Sequence, residues 1–508
     1  MDRRAFLSGM AATAALGVNA LEAADRGRAR TVSIFHTTDL HGHILPTSTY
    51  EGLDDVGGLA RCATCIRQWR RESPLSLTVD VGDVIQGTPV SLANRGSLMI
   101  DVFNQLGYDA WTLGNHDFDW GPEVTETILS KSSCPILTAN IGRDGAVPGS
   151  LSGAWKRVLP WTIKEVGGFR IALVGLITPG LPYWLPPELL AGTEATDPIP
   201  ALKAAVKEVR AIGADAVVVL GHMGWRFTDD YANPVRTILR DIKGVDIYLA
   251  GHSHQNQPSW TLHDVLCSQA SYYGIHCGRI DLTFDADSRK LVDRRAFTIL
   301  MDDRFDLDPA VMHLAGADLE ASEKNQARRV ATVAKPVAAG GRGSPLAVLL
   351  CELFAGALKK RGIAVDGVFH GTFDSGDLAV GPLTVADCWR IIPYENMLVT
   401  AEITAAEVLA IVADDAAQKN SDRTLWPLEV VYDSDKKPQA LTHRGDAIAP
   451  ERRLTIAFNA YDAQSGGRRL MKTREILSSP AARRTTTTID TRSALIDSLL
   501  DRGTIGSS

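Results

Sequence analysis

Cysteine is scarce in this chain. Seven are spread over 508 residues, at Cys62, Cys65, Cys134, Cys267, Cys277, Cys351 and Cys388. A sparse, odd-numbered set excludes a disulfide framework as the basis of the fold. Basic charge is not in excess either. The formal net charge is −7, and binding a nucleic-acid polymer would need a concentrated basic face. There is no internal repeat, no long low-complexity tract and no apolar run of bilayer length. What remains is ordinary globular composition, 45% hydrophobic and 22% charged, which excludes disorder or a coiled coil as a whole-chain reading. A chain of this length exceeds one hydrophobic core, so two domains are expected.

At the N-terminus Arg3 and Arg4 precede Phe6, Leu7 and a small-residue apolar stretch reaching Ala20. This is the pattern of a twin-arginine export signal over residues 1–24, removed on export, and it makes the periplasm the expected address. The stretch is too short and glycine-interrupted for a stable membrane anchor. CATC at 62–65 has redox spacing, but it sits inside GGLARCATCIRQWRRE, an amphipathic helix pattern. Packing is the better reading of both thiols.

From residue 29 to 305 apolar runs alternate with helical patterns. TVSIFHT, LSLTVD, AWTLG, RIALVGL, AVVVLG and DIYLAG are continuous rather than alternating, as in strands buried on both faces. Helical stretches such as ALKAAVKEVRAIG lie between them, the signature of a layered α/β domain. Residues 306–334 read as a mostly polar linker helix. A second, smaller α/β region follows over 335–503 and ends in SALIDSLLDRG.

Five of these strands end in polar tips: Asp39-Leu40-His41, Gly82-Asp83, Gly114-Asn115-His116-Asp117, Gly221-His222 and Gly251-His252-Ser253-His254. Parallel strands carry such tips to one edge of a sheet, where α/β sites form. Asp, Asn and His together suit borderline or hard divalent ions. Seven candidates exceed the needs of one tetrahedral ion. Two ions sharing a carboxylate, roughly 3.5–4 Å apart, would acidify a water and clamp attacking and leaving oxygens.

HTTDLHGH, VDVGD, TLGNHDFDWG, GHMG and AGHSH resemble the motifs of the calcineurin-like metallophosphoesterases. The whole chain is similar to the bacterial periplasmic 5′-nucleotidase and UDP-sugar hydrolase family. The resemblance implies an α/β fold, with a four-layer α/β/β/α catalytic domain and a smaller α/β substrate domain. It implies one metal on Asp39, His41, Asp83 and His254, and a second on Asp83, Asn115, His222 and His252. Asp83 would bridge, and the ions would be Mn or Zn, with Fe the third choice. His116 would face the phosphoryl oxygens and leaving group. Asp117 would hydrogen-bond His116 and fix its tautomer, leaving Asp119 as a cap.

Further along, GPLTVADCWRIIPYENMLV and IDTRSALIDSLLDRGTI resemble the family's second domain more loosely. Tyr394 and Tyr461 fall where two aromatic rings clamp a nucleobase. Two loops depart from the family pattern. In HGTFDSGDLAVG, Ser375 stands at a phosphate-binding arginine. In SGGRRL, Arg468 replaces an acidic residue and becomes a candidate substrate contact; Arg342 is a further candidate cation. The resemblance implies hydrolysis of small phosphate esters, nucleotides first, by a monomer. Its alternatives are a thiosulfohydrolase of periplasmic sulfur oxidation, a cyclic-nucleotide or nucleotide-sugar phosphodiesterase, and an exported metal-containing binding protein.

Overall fold

A computed structural model describes residues 29–372, 376–418 and 421–506. The export signal over 1–24 and the loop residue Ser375 lie outside the described residues. Among the described residues, no helix is long and apolar enough to cross a membrane.

Two sheets face each other in the first half of the chain. The seven-stranded sheet runs Leu291–Leu300, His276–Asp285, Ala29–Thr37, Ser76–Asp80, Ala110–Thr112, Ile136–Leu137, Val158–Leu159. The six-stranded sheet runs Asn256–Leu262, Val265–Ala270, Ile247–Ala250, Ala216–His222, Phe169–Ile177, Trp161–Val166. Side chains alternate across each strand, so one face of each sheet meets the other sheet and the opposite face meets helices. Val32, Ile34 and Val79 pack against Leu173, Val218 and Leu249 between the sheets. Phe35 and Trp111 face outward onto Leu59–Glu72, Ser97–Leu106 and Pro122–Lys131. Val217 and Val219 face Pro198–Ala211 and Val235–Asp241 on the other side. The result is the expected four-layer α/β/β/α stack.

One expectation changes here. The five polar tips do not share the edge of a single sheet. Those at 39–41, 83 and 114–117 leave the seven-stranded sheet, and those at 222 and 252–254 leave the six-stranded one. Continuous apolar runs report burial on both faces, but not which sheet a strand joins. Parallel register keeps the tips level: Thr37 lies opposite Asp80, Asp80 opposite Trp111, and Gly221 opposite Ala250.

The linker is a second correction. A helix covers Pro309–Gln326, with the Asp308 carboxylate accepting the Ala310 and Val311 N–H groups at its start. Arg329–Val333 is a strand instead, between Gly381–Thr384 and Thr504–Ile505. Val330, Thr332 and Val333 are β-branched and stiff at χ1, and burial of Val330, Ala331 and Val333 settles them in a sheet.

The second region is built on a five-stranded sheet in the order Thr424–Trp426, Gly367–His370, Arg453–Asn459, Met397–Thr404, Thr485–Asp490. Pro345–Lys360 and Thr491–Arg502 cover one face and Ala405–Ala416 the other. All seven cysteines are buried and unbonded to one another, Cys62 and Cys65 within the helix Leu59–Glu72. The packing reading of CATC agrees with this.

Candidate metal centre and adjoining cavity

The strand tips turn sharply. Asp39, His41, Asp83, His252 and His254 all have left-handed backbone, with φ between 48° and 68°. Non-glycine residues seldom adopt it, and it costs of order 1–3 kcal/mol each. Five such residues around one point are strain retained for what their side chains do. Gly114 shows how tight the point is: a Cβ there would lie 2.1 Å from Asp83 Oδ1.

The side chains converge in two groups, Asp39 with His41 and His254, and Asp83 with His222 and His252. Asp83 reaches toward both. Its Oδ2 is 3.0 Å from His222 Nε2 and 3.7 Å from His41 Nε2. His41 Nδ1 donates to the Gln86 carbonyl at 2.8 Å, and His222 Nδ1 donates to the Val81 carbonyl at 2.7 Å. Each bond fixes the ring and leaves Nε2 for a cation, as carbonyl partners do at metal sites. His41 Nε2 also lies 3.0 Å from His254 Nε2. Asn115 is buried, and its Oδ1 has no hydrogen-bond partner. Burial pushes His41 and His252 each down to about 3, which keeps them neutral as ligands must be. Burial also lowers His222, but the Asp83 carboxylate outweighs it and lifts the ring to about 9. A proton there does what a cation would do. Paired imidazoles, buried carboxylates and an orphaned amide oxygen fit two divalent ions.

Asn115–Phe118 forms one turn of 3-10 helix. In that geometry residues three apart eclipse. Asp119 Oδ2 therefore meets His116 Nδ1 at 2.7 Å. Burial lowers the His116 ring, but Asp119 and then Asp83 outweigh burial and raise it to about 10. Asp117 does not contact His116, contrary to the expected pairing. It turns under the site and accepts the backbone N–H groups of Asp83, Val84, Ile85 and Gly114 at 2.9–3.2 Å. Replacing Asp117 with alanine would strand four buried donors. The expected loss is roughly 3 kcal/mol or more, read from urea unfolding. Asp119→Ala, which strands no backbone donor, should cost much less.

Beside the metal groups a cavity of about 370 Å³ opens between the two halves of the chain. Asn115, His116, Asp119 and His252 form its polar end. Trp184, Leu185, Pro186 and Leu189 form a wall from the first half, and Tyr394, Met397, Ala460, Tyr461 and Arg469 a wall from the second. The Tyr394 ring lies 5.9 Å from the His116 ring, inclined by 17°. Glu395 ties the halves together, accepting from Gln86 Nε2 at 3.2 Å, Trp120 Nε1 at 3.3 Å and the Arg492 guanidinium.

A calcineurin-like phosphoesterase family model matches residues 32–256, the span that carries every strand tip of the metal groups. Residues 32–256 thus resemble a calcineurin-like phosphoesterase domain, and the curated relatives the chain is similar to include 5′-nucleotidases. The snake venom 5′-nucleotidase of Naja atra is 31% identical over 304 residues, which is 55% of each chain. The chain thus spans about half the length of the curated relatives it matches. A Staphylococcus aureus structure assigned as a 5′-nucleotidase shares the fold over 93% of this chain and 97% of its own, with TM-score 0.77 and 20% identity. A Thermus sulfate thiohydrolase shares it too, over 94% and 97%, with TM-score 0.63 and 18% identity. The same fold thus occurs in structures named for two different activities.

The structure gathers all seven expected ligand residues, His116, and both tyrosines. Arg468 is elsewhere. Its guanidinium sits 5.2 Å from the centres of the Tyr183 and Tyr231 rings, outside the cavity. Arg342 is also committed, paired at 2.6 Å with the buried Asp415. Residues 465–468 all have positive φ, so adjacent arginines diverge and it is Arg469 that lines the cavity. Glycine suits position 467, where φ is +69° and a Cβ would crowd Trp184 Nε1 at 3.0 Å and the Tyr231 hydroxyl at 3.2 Å. Sequence reasoning also missed Asp119, Trp184 and Glu395. Only Asp119 had a readable signal, its i+3 spacing from His116.

Proposed function

We propose that this chain is a two-metal phosphoesterase that hydrolyses small phosphate esters, nucleoside 5′-monophosphates first among them. The observation that carries the reading is the pair of ligand groups, with Asp83 Oδ2 of one lying 3.7 Å from His41 Nε2 of the other and the His116–Asp119 pair beside them. Asp39, His41, Asp83 and His254 would hold one divalent ion, and Asp83, Asn115, His222 and His252 the other. Mn or Zn suits these donors. When bound, such ions polarise phosphoryl oxygens and acidify water.

The chain's own residues supply the rest. Asp119 holds the proton on His116 Nδ1, so the ring is fixed and Nε2 is its remaining donor. In the charged form that Asp119 favours, Nε2–H meets the phosphoryl oxygens as negative charge builds and can pass its proton to the leaving oxygen. Asp117 shapes the Asp83 loop from below. Tyr394, Tyr461 and Trp184 receive the leaving group and keep water from it. On this reading residues 29–305 carry the chemistry and 335–503 select the ester. Arg3 and Arg4 support export to the periplasm by the twin-arginine route before the signal is removed.

The test is phosphate release by the purified mature chain with Mn²⁺. Its panel holds nucleoside 5′-monophosphates, nucleotide sugars, cyclic nucleotides and non-nucleotide esters. Preference for the monophosphates is the expected result. Sulfate release from a protein-bound thiosulfonate, with no phosphate released from any ester, would assign the sulfur chemistry instead.

A further inference from the structure

The cavity is lined by two acids, Asp119 and Glu395, and by the His116 ring and the Arg469 guanidinium, which differ in how they are matched. Asp119 is paired with His116, and Glu395 with Arg492. Arg469 has no acidic partner among the described residues. Its Nε donates to the Gly466 carbonyl at 3.0 Å, and one terminal nitrogen donates to the Tyr461 hydroxyl at 3.3 Å. Those two bonds hold the guanidinium at the cavity wall without neutralising it, and leave further N–H groups free. Its neighbour Arg468 is spent on Tyr183 and Tyr231, and Arg474 lies 4.8 Å from the centre of the same Tyr183 ring. The loop is fixed against the first half by Gly467 N–H and the Ser465 hydroxyl, both donating to the Tyr183 carbonyl at 3.3 and 3.1 Å. An exposed guanidinium at the wall of a partly apolar cavity, hydrogen-bonded to the hydroxyl of a neighbouring ring, matches a planar body that carries an anion.

We propose that Arg469 is a specificity residue that selects leaving groups bearing a second anionic group, a phosphate or carboxylate remote from the ester that is cleaved. The proposal rests on the phosphoesterase reading for its catalytic consequence, but not for binding. Tyr461 offers its face to the body of the leaving group, while its hydroxyl helps aim the guanidinium. Esters with a neutral leaving group would find the charge unmatched and bind less well.

Two measurements separate the ideas. The first uses metal-free full-length protein and equilibrium binding of adenosine 3′-monophosphate against adenosine, with no turnover involved. The nucleotide should bind at least tenfold tighter, and that preference should shrink with added salt. Arg469→Gln should abolish the preference while keeping a side-chain donor for Tyr461. Arg469→Lys should keep most of it, because the charge remains. The second measurement compares kcat/KM for adenosine 3′,5′-bisphosphate and adenosine 5′-monophosphate, as release of the 5′-phosphate. The wild-type ratio should fall at least tenfold in Arg469→Gln and hold in Arg469→Lys. Equal binding of the two probes by the wild type, or a preference that survives Arg469→Gln, overturns the proposal. Loss in both variants would make Arg469 a support for Tyr461 and also overturns it. No phosphate release from any ester, with the binding preference intact, would fault the phosphoesterase reading and leave the anion site standing.

Discussion

His116→Ala is expected to lower kcat by roughly 10²–10⁴-fold while metal content stays at the wild-type value, because a positioned proton donor supplies about that much. The two readouts divide because of how the ring is placed. His116 belongs to neither ligand group. Its imidazole is held by Asp119 at 2.7 Å and faces the cavity with Asn115 and His252. Its ring lies edge-on to His41, centres 5.2 Å apart, without bonding it, and its backbone N–H donates to Asp83 Oδ1 at 2.7 Å, a bond that alanine keeps. Asp119→Asn should fall in the same direction by a smaller factor, because an amide still orients the ring but no longer favours its charged form. Metal analysis beside initial rates checks both. A His116→Ala protein that turns over normally, or that has lost its metal, contradicts the assignment.

Asp83→Ala is expected to remove activity and to weaken metal binding beyond the roughly 10–100-fold typical of losing a supporting residue around a metal. Asp83 is the carboxylate within reach of both groups, 3.0 Å from His222 and 3.7 Å from His41. Without it His222 also loses the charge that raises it, so burial would hold that ring neutral. Each group would retain its histidines but lose the anion they share. Isothermal titration with Mn²⁺ should then show fewer sites and weaker ones. Two wild-type sites remaining in Asp83→Ala would show that this carboxylate does not bridge.

The two candidate ligand groups were more legible in the sequence than the cavity was, and the reason is local. A polar tip after a buried strand is written in consecutive residues, and parallel register carries it to a common edge. Asp39, His41, Asp83, Asn115, His222, His252 and His254 were legible on that ground. That they leave two sheets rather than one was not, because an apolar run looks the same in either. The choice between Asp117 and Asp119 turned on a single 3-10 turn, where i and i+3 eclipse and the adjacent residue points away. The exchange of Arg468 for Arg469 turned on a run of left-handed residues from Ser465 to Arg468. Such a run reverses the chain and separates neighbouring side chains, which residue spacing alone does not report. The strand at Arg329–Val333 was hidden because its partners, Gly381–Thr384 and Thr504–Ile505, lie far along the chain.

On the proposed reading, turnover needs two divalent ions on the two ligand groups, with Asp83 between them. The most direct measurement is phosphate release from a nucleoside 5′-monophosphate, followed as Mn²⁺ is returned stepwise to chelator-treated protein. The rate should vanish on chelation and climb to a plateau at about two equivalents per chain, as a two-metal clamp requires. Phosphate release that persists undiminished after the metal has been removed would contradict the account.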